Sequence, residues 1–307
     1  MEAHAASHPA TPRAPRAGIR LPGVGAGLGR GVVLLYLSIF VLLPLAALTE
    51  KAFSKGLGTF WDQVTAPGSI AALELTLIAS LIVVVINGFF GTILAWLLVR
   101  DNFPGKGIVN AVIDLPFALP TIVASLILIE LWGRHSPVGV DISLSRTAVV
   151  VALMFVTLPF VVRAVQPLLI EMDREMEEAA ASLGAGGFTI FRRIIFPNLL
   201  PGLAAGVALA FARALGEFGS VLLFAGGLAD TQVSSVYIKQ LIETGNEVGA
   251  AAVSIVLLAA ALLVLLIVSL IQRWGSRHQR SAGAGLTNMP MSGFGSLPPE
   301  EDDDERP

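Results

Sequence analysis

The sequence predicts an all-α polytopic membrane protein with six transmembrane helices and both termini on the cytoplasmic side. Three observations carry that reading. Only 14% of the 307 residues are charged and 54% are hydrophobic, where a soluble domain carries about 25% charge, and mean hydropathy is +0.77. The deficit is concentrated in six apolar runs with few charges, 32–48, 75–99, 108–132, 147–162, 199–225 and 249–271. Each approaches or exceeds the roughly 20 residues that cross a hydrocarbon core of about 30 Å, and in lipid such runs must be helical so that backbone groups bond internally. Finally, with the N-terminus placed in the cytoplasm, fourteen of the twenty Lys and Arg residues fall in cytoplasmic segments and five on the opposite side. This is the positive-inside asymmetry.

Residues 1–30, rich in Ala, Gly, Pro and Arg, are expected to form a disordered cytoplasmic tail. The first run follows a charged leader and is longer than the roughly 7–15-residue core of a signal peptide, so it is expected to be retained as a helix. In the second run, Asn87, Gly88 and Gly91 lie midway and read as a packing surface, with a pore-facing Asn87 as the alternative. Glu74 and Glu130 fall at outer ends, where water reaches them.

The third run holds Asp114, Pro116 and Pro120. Proline removes a backbone donor and bends a helix, so two readings of Asp114 stand: a cap or ion-pair partner, of Arg100 or Arg163, or a gate residue of the translocation pathway. The fifth run opens with Gly202 and Gly206 four apart, a close-approach pattern, and carries Arg213 and Glu217, also four apart and therefore on one helix face. Charge at membrane depth costs roughly 3 kcal/mol or more near the centre and faces a partner or a wet cavity. The pair is either a structural neutralisation or a site where Arg213 offers positive potential to an anion while Glu217 sets its rotamer. The transmembrane domain is placed at 31–275, and 276–307, rich in Gly, Pro, Ser and acids, is expected to be a disordered acidic tail.

Between the fourth and fifth runs lies a polar stretch, about 171–198. Residues 171–183 are rich in helix formers, Gly184, Gly186 and Gly187 break them, and 188–196 restart before Pro197 stops the helix. A loop built from two short helices is built to touch something. The Ala179-Ala180-Ala181 surface lets a partner backbone come close, and Gly184 forces a sharp change of direction.

The chain shows no enzyme machinery. It has no cysteine, hence neither disulfide nor thiolate metal site. His4, His8, His135 and His278 are scattered, and no metal site is expected. The glycines between 23 and 31 lack a following Lys-Ser/Thr, and the Gly105-Lys106 stretch lacks phosphate-loop spacing. No Gly-x-Ser-x-Gly elbow occurs. The net charge of −3 comes from the acidic tail and says little, and no nucleic-acid partner is expected.

The loop resembles the cytoplasmic signature of ATP-binding-cassette importer permeases of the type I kind: Glu178-Ala179-Ala180, three residues, Gly184, nine residues, then Ile194-Ile195-Phe196-Pro197, with Phe196 where that family has Leu. Three further stretches, Asp114 to Pro120, Pro159 to Arg163 with Gln166-Pro167, and Arg213 to Gly219, resemble the T-type permease subunit for sulfate and thiosulfate. The resemblance implies that Glu178, Ala179, Ala180, Gly184, Ile194 and Pro197 couple to an ATPase, while Arg213, Glu217 and Asp114 are candidates for the pathway. It implies partners: ATP-binding-cassette ATPase subunits, a second sulfate permease subunit, an extracytoplasmic sulfate-binding protein and the lipid bilayer of the cell (plasma or inner) membrane. ATP and Mg would sit on the ATPase, with no cofactor on this chain. A molybdate or tungstate permease is the alternative. An ion-coupled secondary transporter would show broken helices in matched halves and buried acids, and no inverted sequence repeat is visible.

Overall fold

The computed structural model describes residues 24–284, and all of its regular structure there is helical. In chain order the elements are α1 (Val24–Leu37), a π-helical turn π1 (Ser38–Leu42), α2 (Leu43–Phe53), α3 (Gly56–Val64), α4 (Pro67–Arg100), α5 (Lys106–Ala118), α6 (Thr121–Trp132), α7 (Arg146–Glu171), α8 (Arg174–Ser182), α9 (Gly187–Ile190), π2 (Phe191–Ile195), α10 (Phe196–Leu215), α11 (Gly219–Phe224), α12 (Ser234–Glu243) and α13 (Glu247–Ala284). Helix begins at Val24 and ends at Ala284, so both limits pass beyond the 31–275 boundaries expected from composition. The rest of the two expected disordered tails lies outside the described residues.

Two compact units are present, residues 1–50 and 51–307. The described part of the first, from Val24, is one apolar helical stretch whose large side chains from Val32 to Leu43 are exposed, the surface that lipid would solvate. The second is a bundle around α4, α7, α10 and α13.

Within the bundle, sorting is by size rather than polarity. On α4, Leu81, Val85, Phe89 and Ile93 form an exposed stripe at four-residue spacing, while Ala72, Ala79 and Ala95 are at most 2% exposed. A soluble helix would bury its largest apolar residues, but in hydrocarbon there is no such drive, and small residues at the interface let backbones approach. A Cβ added at Gly206 of α10 would lie 2.8 Å from the Ala164 Cβ and 3.1 Å from the Val161 Cα of α7. Asn87 crosses from α4 to α7, donating from Nδ2 to the Met154 carbonyl at 3.0 Å and to Thr157 Oγ1 at 2.9 Å. It is a buried fastener, 1% exposed, and not a pore-facing group. The interior divides into two clusters along the bundle, one containing Leu98, Val161, Leu169, Leu199 and Phe211, the other Val83, Leu153, Val221 and Phe224.

Among the described residues, five helical stretches are long and apolar enough to span a membrane: Gly29–Phe53, Pro67–Arg100, Arg146–Glu171, Gly187–Leu215 and Glu247–Leu270. The third predicted run is the exception. It divides into α5 and α6, 13 and 12 residues long, because Leu119 turns extended ahead of Pro120 and Pro120 brings no N–H. The fifth run likewise stops at Leu215 and resumes as α11 after Gly216-Glu217-Phe218. Gly219 is packed against Thr121 and Ile122 at the start of α6, so the two interruptions meet.

The polar loop also departs from expectation. α7 runs through Glu171, so the short helix starts only at Arg174. The second short helix does not stop at Pro197: Gly187–Leu215 is continuous. Pro197 sits in the first turn of α10, where a missing N–H costs little. It follows a π turn in which Phe196 N–H donates to the Phe191 carbonyl, and this wider turn absorbs the change of register.

Candidate functional site

Two groups of predicted residues take shape, one on the 171–198 loop and one inside the bundle. α8 is set by its own sequence. The Asp173 carboxylate accepts the Glu175 N–H at 2.9 Å, an N-cap, and Glu175 and Glu177 place negative charge in the first turn, against the positive helix end. At the other end Gly184 is left-handed at φ +84°. Gly184 N–H donates to the Ala181 carbonyl at 2.9 Å and Ala185 N–H to the Ala180 carbonyl at 3.0 Å. This is a Schellman stop, and it demands a residue without a Cβ penalty at 184.

The chain reverses there, leaving Glu178 and Ala179 exposed and Ala180 half-buried. No side chain of α8 is buried. Leu183 is 90% and Phe188 76% exposed. On a loop otherwise carrying charged residues, such exposed apolar groups mark a surface to be covered. Ile194 is half-buried and Pro197 exposed.

Sequence reasoning missed Leu183 and Phe188 as contact residues, although both sit inside the recognised spacing. It also missed the pairing of Arg100 with Glu177, whose partners are far apart in the chain. A cleft of about 360 Å³ lies at that pair, lined by Trp96, Arg100, Asp101, Arg174, Glu177 and Glu178.

Inside the bundle, Asp114 pairs with Arg163 across α5 and α7. Arg163 Nε donates to Asp114 Oδ1 at 2.8 Å, and Nη2 donates to Oδ2 in a second, parallel contact. Nη1 donates to Gln166 Oε1 at 2.5 Å and to Asn110 Oδ1 at 3.3 Å. The capping reading of Asp114 is set aside, since α6 has no side-chain cap, and so is its pairing with Arg100. Both partners remain open to solvent, at 35% and 46% exposure.

Arg213 and Glu217 also pair, Nη1 lying 2.6 Å from Oε2, with unequal burial of 33% and 1% exposure. The Oε2 contact lies outside hydrogen-bond geometry, so it is an ion pair. Glu217 Oε1 accepts both the N–H and the hydroxyl of Ser220 at 2.9 Å. Glu217 thereby serves both as counter-charge and as the side chain that starts α11 after the break. The guanidinium is the more accessible end of the pair. Asp114 and Glu217 belong to different ion pairs, so the three predicted bundle residues do not form one cluster through hydrogen bonds.

At the other end of the bundle, between α6 and α7, Asp141 Oδ1 accepts the Ser143 hydroxyl at 2.6 Å and its N–H at 3.0 Å. These bonds, the hydroxyl first, hold the Asp141 carboxyl below the ordinary carboxylate range, with Arg134 assisting. Among the described residues no group of His, Asp and Glu is arranged to hold a metal ion.

Comparison with known proteins places this architecture. Residues 87–281 match the family described as "Binding-protein-dependent transport system inner membrane component". The chain is 44% identical over 255 residues to the sulfate transport system permease protein CysT of Synechocystis sp., covering 80% of this chain and 89% of that protein. It is 42% identical over 266 residues to CysT of Salmonella typhimurium, covering 84% and 95%. Among solved structures, a bacterial alginate ABC transporter in complex with an alginate pentasaccharide-bound periplasmic protein superposes with a TM-score of 0.68 at 19% identity, over 80% of this chain and 94% of that one. An inward-facing MetNI methionine ABC transporter gives 0.51 at 23% identity, over 69% and 99%. The fold is therefore that of ABC importer permeases. The chain is a multi-pass membrane protein, a permease rather than an enzyme, and it belongs to the family of inner membrane components of binding-protein-dependent transport systems.

Proposed function

We propose that this chain is one of the two permease subunits of an ATP-driven importer for sulfate and thiosulfate, working in the cell's plasma or inner membrane. The observation that carries the reading is 44% identity, over four-fifths of the chain, to a sulfate transport permease. In this reading an extracytoplasmic binding protein delivers the anion to the end of the bundle bearing Asp141. Both termini and α8 are cytoplasmic, in keeping with the positive-inside asymmetry. ATP and Mg bind to separate ATPase subunits that grip α8 through Glu178, Ala179 and the exposed Leu183.

Thermodynamics supports an energy source. Moving a dianion into a cell held at about 100 mV, inside negative, opposes roughly 4–5 kcal/mol of electrical work, so a passive pore would lose sulfate. The pathway runs past Arg213. Its guanidinium is a third exposed while its carboxylate partner is buried and bonded to Ser220, so positive potential faces the open side. The Arg163–Asp114 pair is internally neutralised and stands as a wall or gate. Alternating access follows from closure of the ATPases, transmitted through the loop.

The test is labelled-sulfate uptake by cells lacking the gene, with and without its restoration, challenged with excess thiosulfate or molybdate. ATP-dependent uptake that returns with the gene and falls with thiosulfate supports the proposal. Uptake suppressed by molybdate alone favours a molybdate or tungstate permease. Uptake that collapses with the proton gradient while ATP is maintained overturns it in favour of a secondary carrier.

A further inference from the structure

α8 presents a mechanical problem. A helix that passes on force must be fixed to the bundle, yet its nine residues bury no side chain, so hydrophobic packing does not hold it. What reaches it is Arg100, the last residue of α4. Arg100 Nη2 donates to Glu177 Oε1, and the side chains are 9% and 20% exposed. The guanidinium carbon lies 5.6 Å from the centre of the Trp96 ring, one turn earlier on α4, which orients the cation by its attraction to the ring face.

The Arg100 Nε is buried without a hydrogen-bond partner, and Glu177 is the carboxylate in ion-pair contact with this guanidinium. Separating α8 from α4 would break an ion pair whose cation is 9% exposed, and breaking a buried pair is unfavourable. Trp96 also meets Phe191 edge-on at 6.0 Å, and Phe191 lies 6.0 Å from Phe196. One end of α4 therefore holds both arms of the loop: α8 before the Gly184 reversal by an ion pair, and π2 after it by aromatic contact. α4 in turn is tied to α7 by Asn87.

We propose that Arg100, seated on Trp96 and paired with Glu177, is the strut through which displacement of α8 enters the membrane bundle. It is a positioning residue rather than a substrate contact, and the inference rests on the reading that α8 docks on an ATPase.

The test uses the full complex of both permeases and the ATPase in proteoliposomes, with sulfate-loaded binding protein outside and ATP on the ATPase side. Sulfate moved and ATP hydrolysed are measured together. Arg100→Glu and Glu177→Arg are each expected to lower sulfate moved per ATP about tenfold or more, a loss of about 1.4 kcal/mol or more in coupling. The double exchange is expected to restore the ratio to within about threefold of wild type, as a direct pair should in a double-mutant cycle. A structural role alone would change assembly without changing that ratio. Single variants with a normal ratio, or a double exchange no better than the singles, would overturn the strut.

Should the charge variants fail to assemble, the absence of cysteine from this chain permits Arg100→Cys with Glu177→Cys, bridged by a flexible bis-maleimide before the chain is combined with its partners. Bridging is expected to raise the ratio, and no rise overturns the inference. An assembled wild-type complex that moves no sulfate refutes the parent reading, an outcome distinct from wild-type transport with failed rescue.

Discussion

Removing the Arg213 side chain tests whether the ion pair at the α10–α11 break is structure or pathway. Arg213→Ala leaves the two hydrogen bonds from Ser220 to Glu217 Oε1 intact and deletes only the partner of Oε2. Breaking a fully buried ion pair costs about 3–5 kcal/mol. Arg213 is a third exposed, so water replaces part of what is lost, and about 1.5–3 kcal/mol of stability is expected, as for a lost charged hydrogen bond. Its effect on transport is larger. A passing dianion loses its charge-assisted partner, and the same 1.5–3 kcal/mol, placed on a barrier, slows passage about tenfold to a hundredfold. Purified protein in detergent should show a modest fall in thermal midpoint, while initial-rate uptake at equal membrane abundance falls at least tenfold. Glu217→Ala reverses the balance, because it also strips the Ser220 N–H of its acceptor at a buried break, and assembly suffers most. Uptake by Arg213→Ala that falls only as far as its abundance would refute the pathway role and leave the pair purely structural.

Glu178→Lys should abolish uptake while the chain still reaches the membrane, since the residue is exposed and holds nothing in the bundle; normal uptake would remove it from the coupling surface. Leu183→Asp should leave the melting profile unchanged, because a side chain 90% exposed contributes no packing, yet it should weaken co-purification of the ATPase. Gly206→Ala should destabilise the bundle by about 1–3 kcal/mol through overpacking, as its Cβ would lie 2.8 Å from that of Ala164. Ala164→Gly in the same chain should recover part of the lost melting temperature, and no recovery would mean the Val161 backbone is the main obstruction.

The loop was legible because its chemistry is local. A run of good helix formers broken by Gly184 specifies a short helix and its reversal from a dozen adjacent residues, although the Asp173 cap that starts it at Arg174 went unread. The membrane runs were legible because hydropathy is additive along the chain. The third run was read as one span bent at its prolines, because apolar composition is blind to the extended backbone that Pro120 imposes on Leu119. The fate of Pro197 was misread for a related reason: a proline ends a helix in the interior, but at the first turn after a π bulge its missing donor is not needed.

Pairing of charges between helices was not decided by the sequence. Spacing of four gave Arg213 with Glu217, since both ride one helix. The partners of Arg163 and Arg100 come from other helices, separated by 49 and 77 positions, and Asp114 had two arginines to choose from. Composition and local motif thus determined a helical membrane permease with a structured loop between its fourth and fifth apolar runs. Only the tertiary structure decided that Asp114 belongs to Arg163, that Asn87 fastens α4 to α7, and that Arg100 holds α8. The Asn87 contact needs α4 and α7 to come close, and small residues permit that approach: a Cβ added at Gly91 of α4 would lie 3.0 Å from a Val161 methyl of α7, an effect that appears only when the facing helix is in place.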